Sequence, residues 1–407
     1  MSRTSTRTSS GAFPVSPLKA GSVRLNSGRI LVAPDSFKGT LSAAEASVAM
    51  GRGVRRALPR ASVRLHPVSD GGEGFIDALI PFMGGTPHRT EVRGPLPGQR
   101  VRARWALVGK GTTAVIEMAS AAGLALVPPG KRDPRVTTTF GVGELIRSAL
   151  KRNVGSILVG IGGSATNDGG TGMAAALGVK FLDSSGAALA PGGGALADLA
   201  RIDVGGLDPR LAHTAVTVAC DVTNPLTGPH GASRIFGPQK GGDPSAVAAL
   251  DRALRRYAEV LRTDLGLDVE SIPGSGAAGG LGAGLIAFCN ARLTSGIDVV
   301  LDVTGFDDAL ASSDLVLTGE GRIDAQTRSG KALSGILRRA RARRVPVAAV
   351  AGSVECAVED YIGPDGFIAL AALDDGSASP EKAMKNAARL LEEKTHSLVL
   401  SLIAWES

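Results

Sequence analysis

The sequence predicts an α/β fold in which a largely parallel sheet is covered by helices on both faces. Short apolar, β-branched runs alternate along the chain with segments of helical periodicity. The runs are apolar at successive positions, which is typical of strands that are buried on both faces. Aromatic residues make up only 3% of the chain, so Ala, Val and Leu must fill most of the core.

Predicted strands and helices follow one another in order from residue 29. The predicted strands, each an apolar run, cover residues 29–33, 62–68, 113–118, 156–161, 215–220, 297–303, 314–321, 345–352 and 367–373. The predicted helices, in which apolar residues recur every three to four positions, cover residues 75–83, 143–152, 172–178, 244–264, 281–291, 331–343 and about 380–403. This alternation favours βαβ units over an all-β or all-α fold.

The positive charge of the chain is concentrated at its beginning. The formal net charge is +7, and residues 1–29 contain five basic residues and no acidic one: Arg3, Arg7, Lys19, Arg24 and Arg29. A second basic cluster, residues 338–344, ends a predicted helix, where positive charge is favourable in any case. We therefore predict a disordered basic tail over residues 1–28 and no nucleic-acid partner for the folded part.

The cysteines and the hydropathy pattern indicate a cytoplasmic protein. Cys220, Cys289 and Cys356 are far apart and form no CxxC motif, a pattern typical of reduced proteins. No apolar run approaches the ~20 residues that a membrane helix needs. The basic tail lacks the apolar segment of a secretory signal. We expect no membrane partner.

Polar and acidic residues follow several of the predicted strands. They are Asp35, Asp70, Asn167, Asp168, Asp221 and Glu320. In open parallel sheets, ligands bind outside the carboxyl ends of the strands. The shared position of these side chains therefore predicts a single ligand-binding cleft.

Three glycine-rich segments compete as phosphate-binding sites. Residues 160–172 (GIGGSATNDGGTG) follow a strand but lack the GK[ST] of a Walker A loop. Residues 274–284 contain GxGxxG, which would favour a nicotinamide-dependent oxidoreductase with Asp298 or Asp302 on the next strand. The preceding DVESIP is a poor strand, so a glycine-rich helix entry facing an anion is the better interpretation. Residues 318–331 follow a good strand and end in lysine.

These glycine-rich segments and acidic strand ends favour a phosphoryl-transfer enzyme. Such an enzyme needs backbone amides and a lysine or arginine around phosphate oxygens, and carboxylates that hold Mg²⁺ and orient the acceptor hydroxyl. The chain supplies these parts without histidine clusters, and Mg²⁺ prefers oxygen ligands.

Seven motifs, in order along the chain, resemble the bacterial glycerate kinases of the type 1 family. They are APDSFKGTLSA from residue 33, SDGGEG from 69, IEMASAAGL from 116, TTTFGVGELI from 137, GIGGSATNDGGTG from 160, DVTNPLTGPHGA from 221 and TGEGRIDAQTRSGK from 318. The resemblance implies phosphorylation of D-glycerate that depends on ATP and Mg²⁺. It also implies a Rossmann-like domain from both chain ends, residues 29–85 and 273–407, with an inserted α/β domain, residues 86–272. The active site is then expected in the cleft between them.

The candidate catalytic residues are Lys38, Asp70 and Asp324. Either aspartate could orient or deprotonate the attacking hydroxyl, and Lys38 could bind the glycerate carboxylate or a phosphate. Lys38 could also be a solvated loop lysine, and Asp70 with Glu73 could form a helix capping box.

The remaining candidates bind substrate or phosphate. They are Asp35, Ser36, Glu73, Gly162, Gly163, Ser164, Asn167, Asp168, Asn224, Gly319, Glu320 and Lys331, with Asp168 and Asp221 as metal ligands and His230 as a weak binding candidate. Asn167 and Asp168 could instead form a turn, Asp221 and Asn224 could be purely structural, and Lys331 could lie on a helix surface.

The sequence leaves the product and the assembly open. We expect 2-phosphoglycerate rather than 3-phosphoglycerate, and a monomer or homodimer. A non-catalytic protein that binds a nucleotide or metabolite on the same scaffold is the alternative from another class.

Overall fold

A computed structural model of the chain describes residues 28–37, 39–69, 71–72, 74–323, 332–355, 361–374 and 386–403. These residues form an α/β protein with a five-stranded, a six-stranded and a two-stranded sheet, so the predicted fold class is confirmed. Within them, no helix combines the length and the apolar character needed to cross a bilayer.

The secondary structure comprises these elements in chain order. The strands are β1 (Arg29–Val32), β2 (Ser62–Leu65), β3 (Gly85–Arg93), β4 (Arg100–Val108), β5 (Thr113–Glu117), β6 (Ser156–Gly160), β7 (Lys180–Leu182), β8 (Arg201–Asp203), β9 (Ala215–Ala219), β10 (Arg292–Thr294), β11 (Leu315–Ile323), β12 (Val347–Val354) and β13 (Ala369–Ala372). The helices are α1 (Ala43–Ala57), α2 (Phe75–Met83), α3 (Ala119–Ala122), α4 (Phe140–Leu150), α5 (Thr171–Ala176), α6 (Ala232–Phe236), α7 (Pro244–Leu265), α8 (Ala277–Cys289), α9 (Gly296–Val303), α10 (Phe306–Ala311), α11 (Ala332–Ala342) and α12 (Ala387–Ile403).

Contacts divide the described residues into two units. The first comprises residues 28–67, 307–323 and those from Ile336 onward, and the second comprises Val68–Phe306 with residues 332–335. The sequence predicted the changes of domain after residues 85 and 272. The observed division lies elsewhere because α2 packs on β4 and β5 and because β10 pairs with β9, so both segments belong to the six-stranded sheet.

The first unit contains a sheet of five parallel strands in the order β13-β12-β11-β1-β2. Helix α1 begins at Ser42, whose hydroxyl accepts from the Glu45 amide while the Glu45 carboxylate accepts from the Ser42 amide, a complete capping box. Its buried face packs on α12, and Gly53 permits the close approach because an added Cβ would lie 2.9 Å from Cβ of Thr395.

The second unit contains a mixed sheet in the order β10-β9-β6-β5-β4-β3. Its first four strands are parallel, and β4 and β3 continue it in antiparallel fashion. The sequence did not predict this pair because β3 is mostly exposed and because arginines interrupt the apolar residues in the first half of β4. The small sheet β7-β8 was also not predicted.

The segment 297–303, predicted as a strand, is the helix α9. Its buried residues include Ile297, Val300 and Leu301, which recur at the spacing of a helix face. The Asp221 carboxylate fixes the start of this helix because its Oδ1 accepts from the Gly296 amide at 2.8 Å and from Ser295 Oγ at 3.0 Å. The seven apolar and acidic residues of this run fit the period of a strand and that of a helix. The cap from Asp221 favours the helix.

Candidate active site

In the second unit, four parallel strands end in one row. Glu117 on β5 lies beside Gly160 on β6, Gly160 lies beside Ala219 on β9, and Ala219 lies beside Thr294 on β10. The residues that follow these strand ends include Ser164, Asp168 and Asp221. The carboxyl edge of this sheet therefore carries the polar residues that the sequence placed there.

The glycine-rich segment after β6 packs directly against the Gly71–Gly72 turn. A Cβ added at Gly160 would overlap the carbonyl oxygen of Gly71, and one at Gly162 would lie 2.8 Å from Cα of Gly72. Glu117 fixes the start of α2, the helix after this turn, because its Oε1 accepts from the Ile76 amide at 2.8 Å. The structure thus brings two of the predicted motifs together, and glycine is needed where their backbones meet.

Gly163 is the part of the segment that stays open. It is exposed, has a φ of +74°, and an added Cβ would meet only Cβ of Ala119 at 3.6 Å. Its carbonyl accepts from the Leu124 amide at 2.9 Å, which fixes the turn against α3. Gly163 is therefore the glycine of the 160–172 segment that a ligand could approach without displacing protein atoms.

Asp168 is enclosed by hydrogen-bond donors. Its carboxylate accepts from the Thr139 amide at 2.8 Å, from the Thr139 hydroxyl at 2.9 Å and from the amides of Gly170 at 3.1 Å and Gly172 at 3.3 Å. Burial raises the pKa of Asp168, and these hydrogen bonds oppose the rise. The fully buried carboxylate organises the turn before α5, so the predicted role as a metal ligand does not fit its surroundings.

Asn167 also points into the protein. Its Nδ2 donates to Ser233 Oγ at 2.9 Å, while its Oδ1, buried as well, has no hydrogen-bond partner among the described residues. The Asn167 side chain therefore links the glycine-rich segment to α6 and keeps one acceptor available.

Lys240 is a residue of this site that was not predicted from the sequence. Its side chain is only 2% exposed, and its Nζ donates to Ser164 Oγ and to the Thr166 carbonyl, each at 2.7 Å. Burial lowers the pKa of Lys240 to about 7, against the charge of Asp168, which raises it. In the sequence, PQKGG resembles a polar surface loop, and no spacing connects Lys240 to Ser164, which is 76 residues earlier.

The GxGxxG of residues 274–279 is not a dinucleotide fingerprint. Residues 266–276 contain no strand, and Asp298 and Asp302 lie on α9 instead of at a strand end. Gly279 has a φ of +70°, and an added Cβ there would overlap the Thr166 carbonyl, while its own carbonyl accepts from the Gly169 amide at 3.0 Å. This segment therefore packs against the 160–172 turn at Thr166 and Gly169.

Asp221 and Asn224 both have structural partners. Asp221 caps α9 as described above. Asn224 donates from Nδ2 to the His230 carbonyl at 2.8 Å, and its own carbonyl accepts from the Gly276 amide at 3.0 Å. These contacts stabilise the loop that follows β9.

In the first unit, the segment that follows β1 lies beside the middle of β11 and brings Asp35 and Ser36 next to Gly319 and Glu320. The Asp35 amide donates to the Gly319 carbonyl at 2.8 Å, and the Asp35 carboxylate accepts from the Ser36 amide at 2.6 Å. Asp35 and Glu320 are buried. Lys38, Asp70, Glu73, Asp324 and Lys331 lie outside the described residues.

Mg²⁺ prefers oxygen ligands, which carboxylate side chains of the described residues would have to supply. Among them, no group of three carboxylate, histidine or cysteine side chains lies close enough to hold a metal ion. Asp221, one of the predicted metal ligands, would by itself supply a single carboxylate to a cation. The described part of the chain therefore does not form a protein cage for a cation.

Comparison with known proteins identifies the family. A model of the glycerate kinase family matches residues 30–403. The chain belongs to the glycerate kinase family. It is 46% identical over 374 residues to a glycerate kinase of Bacillus subtilis (strain 168), a match that covers 92% of this chain and 97% of that one. It is 50% identical over 326 residues to a glycerate 2-kinase of Escherichia coli (strain K12), covering 80% and 85% of the two chains.

A solved structure of the same family supports the fold. It is a candidate glycerate kinase 2 from Salmonella typhimurium LT2, 45% identical in sequence, with a TM-score of 0.82 over 94% of this chain and all of that one. The predicted family is thereby confirmed, and with it the class of enzyme, a kinase. The glycine-rich segment, Gly71–Gly72 and the Asp35 and Glu320 region all lie within the matched residues.

Proposed function

We propose that the protein phosphorylates D-glycerate with ATP and releases 2-phosphoglycerate. The substrate follows from the glycerate kinases of Bacillus subtilis and Escherichia coli, which the chain matches over most of its length. The choice of the 2-hydroxyl follows from the name of the Escherichia coli relative, a glycerate 2-kinase at 50% identity.

The observation that carries this proposal is the turn at Gly162–Ser164, which is exposed at Gly163 while Ser164 is buried. It follows β6 at the carboxyl edge of a parallel sheet, Gly163 is exposed, and the buried amine of Lys240 lies against Ser164. Amides and positive charge at such a strand end are what phosphate oxygens require. We assign Gly162, Gly163 and Ser164 to phosphate binding, and Asn167 and Asp168 to the shape of the turn.

The other predicted residues enter the proposal through the family resemblance. We assign Asp35, Ser36, Gly319 and Glu320 to substrate or nucleotide binding, with Glu73, Asn224 and Lys331 as further binding residues. Lys38 would offset negative charge on glycerate or phosphate, and Asp70 or Asp324 would act as the base.

Mg²⁺ belongs to the proposal as the companion of the nucleotide. When bound with ATP, it would neutralise negative charge on the phosphate oxygens. Because the described residues form no cage for it, we assign it no step and expect it to arrive on ATP. We further propose a cytoplasmic monomer or homodimer without nucleic-acid or membrane partners.

Phosphorus-31 NMR of the purified protein with D-glycerate and Mg·ATP tests the function. A new phosphomonoester resonance coupled to one methine proton identifies 2-phosphoglycerate, whereas coupling to two methylene protons would identify the 3-phosphate and contradict the assigned position. ADP and inorganic phosphate alone would mean that water is the acceptor. Absence of ATP turnover would favour the non-catalytic binding protein.

The base assignment predicts a specific kinetic defect. Asp70→Asn or Asp324→Asn should lower kcat by about 10²–10⁴-fold because the acceptor hydroxyl loses its proton acceptor, with a small change in ATP affinity. Steady-state kinetics and calorimetric ATP binding measure the two quantities. Asp308→Asn, at an exposed position of α10, is the matched control. Wild-type turnover in both variants would overturn the assignment.

A further inference from the structure

The Lys240 amine contacts two groups of the glycine-rich turn. Its Nζ lies 2.7 Å from Ser164 Oγ and 2.7 Å from the Thr166 carbonyl oxygen, and the side chain is buried. Both of these partners are neutral, and the charge that acts on the amine comes from the Asp168 carboxylate. The carbonyl can only accept, so one N–H must always point to Thr166, whereas Ser164 can either accept or donate.

The charge of the amine decides whether the Ser164 hydroxyl accepts a hydrogen bond from Lys240 or donates one to it. A protonated amine has three donors and no acceptor, so Ser164 Oγ must accept and its own hydrogen is directed away from Lys240. A neutral amine has a lone pair that can accept the Ser164 hydrogen. The hydroxyl would then present only lone pairs to a ligand, which disfavours an anion.

We propose that Lys240 is a positioning residue whose protonation sets the direction of the Ser164 hydroxyl, and thereby the affinity of the 162–164 turn for phosphate-like anions. The inference rests on the proposed function, which assigns this turn to phosphate. Lys240 acts through Ser164 and does not itself touch the ligand. Charge on the amine also strengthens the outward hydrogen bond by polarising the hydroxyl.

The groups around Lys240 allow both protonation states near neutral pH. Burial lowers its pKa to about 7, and the charge that opposes this comes from Asp168. On the flanking segment, a Cβ added at Gly241 would lie 2.7 Å from Cβ of Arg132, and Asp133 is held by Arg135 at 2.9 Å. Asp168 is itself fixed by its donors, so Lys240 is the group whose titration reaches Ser164.

Sulfate is the probe that tests the inference, because its charge is constant between pH 6 and pH 9. Calorimetry on the full chain should give a dissociation constant about tenfold higher at pH 9 than at pH 6, the worth of one charge-assisted hydrogen bond. Lys240→Met and Ser164→Ala should both bind with little dependence on pH. Lys240→Arg, which stays charged, should keep the stronger binding at pH 9.

The matched control is Thr137→Ala. The Thr137 hydroxyl donates to the Ala165 carbonyl at 2.9 Å in the same turn, whereas Lys240 donates to Ser164 and Thr166, so this variant should keep the wild-type dependence on pH. If Lys240→Met does not fold, the pH dependence of sulfate binding by Ser164→Ala still tests the inference. A full pH dependence in Ser164→Ala, a flat response of the wild type, or no sulfate binding at either pH would overturn the inference.

Turnover measured on the same preparations separates this inference from the function. Phosphorylation of glycerate together with sulfate binding that ignores pH would overturn the role of Lys240 alone. Sulfate binding that follows pH without phosphorylation would overturn the proposed function alone.

Discussion

Lys240 and Asp168 show what individual side chains contribute to the glycine-rich turn. The Asp168 carboxylate gathers donors from Thr139 and from its own turn, and Lys240 holds Ser164 and Thr166 from the opposite direction. Two buried, oppositely charged groups therefore fix the shape of one loop without forming an ion pair with each other within the described residues.

At the residue scale, Lys240 makes stability depend on pH. Its pKa falls from 10.5 to about 7 on folding, so between these values the unfolded chain binds more protons and stability rises with pH. The unfolding free energy of the wild type, relative to Lys240→Met, should therefore rise by about 1–3 kcal/mol between pH 7 and pH 9. Urea unfolding at pH 7, 8 and 9 measures it. Parallel curves for the two proteins would contradict a buried amine of low pKa.

His66, in the first unit, predicts sensitivity to acid. Burial, with a contribution from Arg64, lowers the pKa of His66 from 6.5 to about 4. The unfolded chain binds the extra proton in this window, so stability should fall by about 1–3 kcal/mol as pH decreases from 6.5 to 4. His66→Gln should flatten this part of the stability curve, and His213→Gln, at an exposed position, should not. Equal slopes in all three proteins would exclude His66 as the cause.

The positions of polar residues could be predicted from the sequence, but their partners could not. Asp168 lies at a strand end as expected, yet its role follows from Thr139, which is 29 residues earlier in the chain. Asp221 likewise caps a helix that begins 75 residues later. Such distances along the chain leave no local pattern, so the sequence could not distinguish a ligand from a cap.

At the scale of elements, long apolar or amphipathic segments were predicted well and short mixed ones were not. Strands β5, β6 and β9 and the helix α7 coincide with their predictions to within a few residues. Helix α9 and the pair β3–β4 do not, because seven apolar and acidic residues fit two periods and because arginines obscure the alternation of a half-exposed pair.

The turn that opens α8 predicts a specific loss of stability. Gly279→Ala adds a methyl group where the Thr166 carbonyl lies and strains a φ of +70°, so we expect a loss of about 2–4 kcal/mol. Gly186→Ala is the control, because its φ is +84° but no atom lies within 4 Å, and it should cost only about 1 kcal/mol. Thermal unfolding measures both. Equal losses would show that backbone strain alone, without the close approach, accounts for the effect.

At the scale of the whole molecule, the parallel sheets could be predicted but their division could not. Buried apolar strands predicted a parallel arrangement, and all five strands of the first sheet and four of the six strands of the second are parallel. The local pattern of residues 273 to 306 does not assign them to one sheet or the other. The pairing of β10 with β9 and the packing of α8 on α5 and α6 assign them to the second unit, and contacts between elements so far apart in sequence leave no local signal.

The basic segment before β1 should be dispensable for catalysis. The family match begins at residue 30, and every residue in the proposed site follows it. A variant lacking residues 1–27 loses the four positive charges of Arg3, Arg7, Lys19 and Arg24 and should keep the kcat and KM of the full chain for glycerate and ATP. Circular dichroism confirms that it folds. A large fall in kcat would assign the segment a part in catalysis.

The close approaches among glycine backbones determine how this sequence can vary. Gly160 and Gly162 face Gly71 and Gly72, and Gly279 faces Thr166, so the permitted residue at each position depends on main-chain atoms and not on the ligand. A library that randomised residues 160–172 to change specificity would lose most of its members to misfolding. Gly163, where an added Cβ would meet only Cβ of Ala119 at 3.6 Å, is the glycine in that range where new side chains could be selected for what they bind, at a cost of about 1 kcal/mol for its φ of +74°.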